Sequence, residues 1–137
     1  MDIEIKDLIS AWGKHNIASL YCQNKEEALG KVLELIPKDA SVGFSGSVTL
    51  NEVGVIENLK KRGNKVFDPY LAGLSKEQSL EARKNGVSAD YYLASANAIS
   101  KKGELVFFSA FSNRICGVSG AKNTIVICGI NKIAPNL

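Results

Sequence analysis

Short apolar runs rich in β-branched residues alternate along this chain with segments whose apolar residues recur every three to four positions. That alternation confines the fold more than any other feature, because strands separated by crossover helices must pair in parallel. The spacing of Ile5, Leu8, Ile9 and Trp12 predicts a first amphipathic helix over residues 3–15, and Ile17 to Tyr21 reads as a short strand. Asn24, with Glu27 three positions on, marks the start of a second helix that ends at Pro37. Ser41 to Phe44 reads as a strand running into a glycine turn. A capping box from Thr49 to Glu52 then opens a third helix through Val53, Ile56 and Leu59, closed by Gly63. Lys65 to Phe67 is the next strand, and Ser75 with Gln78 caps a helix reaching Asn85-Gly86. Tyr91 to Ala94 and Glu104 to Phe108 are strands, the latter paired with Ala98 to Ser100 across Lys102-Gly103. A short helix follows Asn113, and Thr124 to Cys128 has the continuous apolar character of a strand covered on both faces. The expected architecture is α/β, a mostly parallel sheet with helices on both faces.

The chain has 137 residues, 45% hydrophobic and 23% charged, which suits one α/β domain over 1–137 with its own core. Three cysteines, Cys22, Cys116 and Cys128, are odd in number and form no C-x-x-C pair, which predicts reduced, mostly buried thiols in a cytoplasmic protein and no metal site. The acidic first turn and the lack of a long apolar run predict neither a secretory leader nor a membrane span. Net charge is +3, and the densest basic cluster, Lys60-Lys61-Arg62 with Lys65, falls at a predicted helix end, where cations complement the dipole. No aromatic residues interleave with it, so nucleic acid is not an expected partner.

Open α/β sheets bind ligands beyond the carboxyl ends of their strands. In this chain those ends carry Gly43-Phe44-Ser45-Gly46-Ser47 leading to Thr49, then Ser95-Ala96-Asn97, Asn113-Arg114 and Asn131-Lys132. Gly43 and Gly46 would let backbone approach a ligand, Ser45, Ser47 and Thr49 would add hydroxyls, and Arg114 and Lys132 would supply charge. The expected ligand is therefore a small anion bearing phosphate or carboxylate. A purely structural reading competes, in which the glycines only shape a corner and Thr49 only caps a helix. The turn is neither a P-loop nor G-x-G-x-x-G, and as a nucleophile elbow it fails because Ser47 replaces the second glycine and the sole histidine, His15, lies upstream.

The segments Ser41 to Leu50, Asn97-Ala98-Ile99, Gly103-Glu104-Leu105-Val106, Asn113-Arg114 and Gly129 to Ile133 resemble, in order, the LUD (lactate-utilisation) domain family, over roughly residues 20–135. The resemblance implies a fold like that of the NagB, ribose-5-phosphate isomerase (RpiA) and CoA transferase group. It also implies a link to bacterial lactate oxidation beside iron–sulfur partner subunits. Two departures stand out. The family's Asn-x-Asp-Gly-x-Gly-Asn-Arg loop reads Phe107 to Arg114 here and has lost an acid and two glycines, removing a natural general base. Family members also usually continue past Asn131-Lys132-Ile133 into a cysteine-rich tail. A fragment or a trimmed member is expected on this count, without an iron–sulfur cluster or any other cofactor.

Three functional readings follow. One is anion binding at the four strand ends. Another is a non-catalytic subunit or scaffold for an iron–sulfur complex, docked through Phe107, Phe108 and Phe111, with at least one of Phe107 and Phe108 in the core. The third is an isomerase or CoA transferase-like enzyme using Glu104, Glu52 or Lys132. Assembly with further copies of the chain stays open at this stage.

Overall fold

The computed structural model describes residues 3–135. Helix α1 (Ile3–Lys14) is followed by α2 (Lys25–Leu35), whose N-cap Asn24 accepts the Glu27 N–H at 2.8 Å. Strand β1 (Val42–Phe44) leads into α3 (Val48–Val53) and α4 (Val55–Arg62). Then come β2 (Val66–Phe67), α5 (Lys76–Val87), β3 (Tyr91–Ala94) and the hairpin of β4 (Ala98–Ser100) and β5 (Leu105–Val106). Helix α6 (Asn113–Gly120), β6 (Asn123–Val126), a 3-10 turn at Ile130–Lys132 and β7 (Ile133–Ala134) complete the described chain.

The main sheet is wholly parallel in the order β2-β1-β3-β6. A smaller sheet, β5-β4-β7, pairs β4 antiparallel to β5 and parallel to β7. This is the expected mostly parallel α/β architecture, consistent with a NagB/RpiA-like fold. Side chains alternate across a strand, so β1 and β3 divide their residues between two faces. Val42, Phe44, Tyr91 and Leu93 turn toward α2, α3 and α4 and form the larger core with Val32, Ile36, Leu50, Val55, Ile56 and Leu59. Full burial of each such aliphatic side chain stabilises the fold by about 1.5–3 kcal/mol. Gly43 and Tyr92 are in register on the opposite face, beneath α5 and α6. A Cβ on Gly43 would run into the backbone of Gly86 in α5, and a Cβ on Gly117 in α6 would enter the Tyr92 ring. Both helices lie close on the sheet because glycine occupies those contacts.

Four local expectations are corrected. Ile17 to Tyr21 is not a strand: the segment has no ladder partner among the described residues, and Ile17 and Leu20 are exposed, so apolar character alone does not order it. The helix-three cap is Ser47, whose Oγ accepts the Leu50 N–H at 3.2 Å; Thr49 lies inside the helix, and Glu52 instead pairs with Lys25 at 2.8 Å. That helix is also broken in two at Gly54, where φ of 75° is a left-handed conformation. The Thr124 to Cys128 run ends its ladder at Val126 and occupies the sheet edge, so it is half-buried; Ile125 and Ile127 still meet the larger core, and Val126 and Cys128 meet a smaller one around Leu8, Ala96 and Ile99. The cysteines also differ from expectation: Cys116 is exposed, and Cys22 and Cys128 are half-buried.

Two members of the basic cluster, Lys60 and Arg62, are tied into the fold, while Lys61 and Lys65 are exposed. Lys60 pairs with Asp68, and Arg62 donates to the carbonyls of Leu33 at 2.6 Å and Ile36 at 2.7 Å, closing the end of α2. At the amino ends of the strands, the Asp90 carboxylate accepts the Ser41 N–H at 2.9 Å and the Ser41 hydroxyl at 2.8 Å. Those bonds, the backbone one foremost, hold the Asp90 carboxyl below its usual range, with Lys122 adding to them. No helix among the described residues is long and apolar enough to cross a membrane.

Two outcomes follow from this packing. Gly43→Ala should cost about 2–3 kcal/mol, as overpacking against an unyielding backbone does, read as a lower urea midpoint. Because the folded-state pKa of Asp90 is depressed, its contribution is present above the ordinary carboxylate pKa and is lost as pH falls below it. Asp90→Asn should therefore flatten the acid limb of a stability–pH curve; an unchanged limb would remove Asp90 from the account.

Candidate functional site

Beyond the carboxyl ends of β1 and β3 lies an open cleft of about 540 Å³. Its lining includes Ser45, Gly46, Tyr70, Arg83, Phe111 and Arg114. Arg114, in the first turn of α6, ties the surrounding loops together. Its Nε donates to Ser45 Oγ at 3.3 Å and its Nη2 to the Gly46 carbonyl at 2.7 Å. Its Nη1 donates to Asn97 Oδ1 at 3.0 Å and the Phe108 carbonyl at 2.9 Å. All four acceptors are neutral, so the hydrogen bonds orient the guanidinium and leave its charge uncompensated.

Arg83 reaches the same cleft from α5. It lies over the Tyr70 ring at 5.3 Å and the Phe111 ring at 4.5 Å, and its Nη1 donates to the carbonyl and hydroxyl of Ser79. Its Nε is buried without a hydrogen-bond partner among the described residues. Among the described residues, neither arginine joins an ion pair and no Asp or Glu lines the cleft. Tyr70 is placed by Asp68, whose Oδ1 accepts its N–H at 2.8 Å; the Tyr70 hydroxyl in turn accepts the Gly46 N–H at 2.7 Å.

The sequence-predicted site residues divide accordingly. Ser45, Gly46, Asn113 and Arg114 line the cleft, and Asn97 holds Arg114 from the adjoining loop while also accepting the Phe108 N–H at 2.9 Å. Ser47 is occupied as the cap of α3. Thr49 and the buried Ser95 face each other at 3.5 Å, with Cys128 Sγ accepting the Ala96 N–H at 3.2 Å beside them. Gly43 packs against Gly86. Asn131 and Lys132 lie on the 3-10 turn before β7, outside the cleft lining. Glu104 is exposed beside the hairpin turn. No group of three or more His, Cys, Asp or Glu side chains could hold a metal ion among the described residues.

Sequence reasoning missed Tyr70 and Arg83. The strand-end rule, applied to β2 as it was to the other strands, leads directly to Asp68-Pro69-Tyr70. Arg83 had a fainter signal: it sits one helical turn before Gly86 on the sheet-facing side of α5.

Tyr92 supports the cleft from below. It is 1% exposed, and Asn113 Nδ2 donates to its hydroxyl at 3.4 Å. Burial pushes its hydroxyl up from 10.0 to about 12.

The family model described as LUD domain matches residues 5–137. No curated protein and no solved structure gives a significant match to the chain.

Two expected outcomes test this geometry. Arg114→Ala should destabilise the fold by about 3 kcal/mol, since hydrogen bonds to charged groups contribute about 1.5–3 kcal/mol each, and Arg114→Lys should recover little because an ammonium cannot span four acceptors. Limited proteolysis should then cut first in the 107–112 loop. The raised pKa of Tyr92 means that its contribution is complete below the unfolded value of 10.0 and is lost as pH rises toward about 12. Tyr92→Phe should remove that alkaline loss, measured by urea denaturation across this range.

Proposed function

The chain belongs to the LUD domain family, and from that membership we propose that it is a cytoplasmic protein of lactate or related organic-acid utilisation that binds a small carboxylate- or phosphate-bearing ligand in the cleft between Arg83 and Arg114. The observation that carries this reading is the pair of guanidinium groups with no acidic partner and no acid in the lining among the described residues. A cleft with uncompensated positive charge gains most from an anion, and guanidinium groups grip carboxylate and phosphate through paired N–H donors.

The alternative of a non-catalytic subunit on an iron–sulfur partner draws on Phe108 and Phe111, which are 68% and 65% exposed, while Phe107 packs in the smaller core. The ligand reading is preferred because both exposed rings border the cleft that holds the two arginines. An isomerase or CoA transferase-like reaction requires a general base near the substrate. The cleft lining contains no carboxylate, imidazole, thiol or ammonium group, and Glu52 is paired with Lys25 elsewhere on the surface. The cleft chemistry therefore favours binding over acid–base turnover.

Titration calorimetry with lactate and with inorganic phosphate tests the reading. At least one should bind with an affinity that falls as salt is raised, because exposed charge interactions are screened. Arg83→Gln should weaken that binding about tenfold or more, the cost of losing one charged hydrogen-bonding partner. Binding that is indifferent to salt and to Arg83 would exclude this cleft as the anion site.

A further inference from the structure

The cleft is built for more than a bare anion. Three aromatic rings line it: Tyr70, Phe108 and Phe111. Two of them, Tyr70 and Phe111, have the Arg83 guanidinium over their faces. The Phe108 ring is mostly exposed at the rim, as is Phe111. The exposed area of Phe108 and Phe111 stands in water beside two arginines that have no acidic partner among the described residues, which leaves one hydrophobic and one electrostatic interaction for a ligand to make. A three-carbon acid or a phosphate ion would satisfy only the second. The open cleft of about 540 Å³ has room for a ring system beside the anionic group.

Arg83 reinforces the point. Its Nε is buried with no partner among the described residues, and its described hydrogen bonds, to Ser79, all come from Nη1, which leaves Nη2 to meet an anionic group in the cleft. Arg114 is held by neutral oxygens with its charge unmatched. We infer that the ligand of this cleft is an aromatic anion, a planar ring system that stacks on Phe108 and Phe111 and carries a phosphate or carboxylate to Arg83 and Arg114. This rests on the anion-binding reading above and narrows its ligand class.

Amide chemical-shift titrations of the whole chain test it with five probes: inorganic phosphate, phenyl phosphate, benzoate, adenosine monophosphate and uncharged benzyl alcohol. Phenyl phosphate or adenosine monophosphate should bind about tenfold or more tighter than inorganic phosphate, the usual order for one well-placed aromatic contact plus buried ring area. Preference for the nucleotide over phenyl phosphate would assign a nucleotide, and the reverse, or tight benzoate binding, would assign a simpler aryl acid; either supports the inference. Phe108→Leu, at an exposed position, should abolish most of that advantage, read as the ratio of phenyl phosphate to inorganic phosphate affinity, and Phe111→Leu should lower the same ratio, the ratio being the readout because Phe111 also packs on Arg83. Equal binding of phosphate and phenyl phosphate would overturn the aromatic inference while leaving the anion reading standing. An aromatic advantage that survives both substitutions would overturn it as well. If no anion shifts the cleft amides, or benzyl alcohol binds as well as phenyl phosphate, both readings fall.

Discussion

Two close contacts between helix and sheet govern the molecule. Gly43 of β1 faces the backbone of Gly86 in α5, and Gly117 of α6 rests on the Tyr92 ring of β3. A side chain at Gly43 or Gly117 would lever its helix outward. The consequences reach beyond packing, because the same two helices carry the two arginines. With α5 seated, Arg83 projects beside Tyr70 and Phe111; with α6 seated, Arg114 reaches Ser45, Gly46, Asn97 and Phe108. The cleft is thus a product of helix-to-sheet distance, and its charge follows from which residues those helices present.

The parallel sheet is secured differently at its two ends. At the amino ends, Asp90 and Ser41 exchange hydrogen bonds, and Lys122 and Asn123 approach the same residue. At the carboxyl ends, one guanidinium bridges the loops after β1, β3 and β5. A carboxylate saturated by local donors closes the first end, whereas the second keeps a net positive charge. That asymmetry sets a charge-saturated pole against a positively charged one, and the positive pole lies at the strand carboxyl ends, where open α/β sheets place ligands.

Much of this was legible from residues alone. The parallel α/β order, the Asn24 and Ser75 caps, the hairpin at Lys102-Gly103 and the gathering of Ser45, Gly46, Asn113 and Arg114 all follow from periodicity and the strand-end rule. The failures have physical causes. Ile17 to Tyr21 has strand-like composition, but a strand needs a neighbour's open edge, which no local pattern reveals. Ser47 and Thr49 are both good caps two positions apart, and only the backbone geometry chooses between them. The absence of a side chain at Gly43 has a packing reason that periodicity does not reveal, since the space a Cβ would fill is taken by Gly86. Lys132 follows β6 on a 3-10 turn that leads into the smaller sheet, a placement that depends on the β4–β7 pairing and not on any local pattern. Arg83 is only faintly marked in the sequence, because a lone arginine on a helix forms no motif and its place depends on Gly43 and Gly86 meeting.

An anion recruited by the positive charge of the cleft would sit between Arg83 and Arg114. Anomalous diffraction from crystals soaked in selenate, a heavy stand-in for phosphate, addresses it most directly. The account predicts a selenium peak within hydrogen-bonding reach of both guanidinium groups, weakened in Arg83→Gln crystals. Selenium confined to other surface cations, with none between these two arginines, would contradict it.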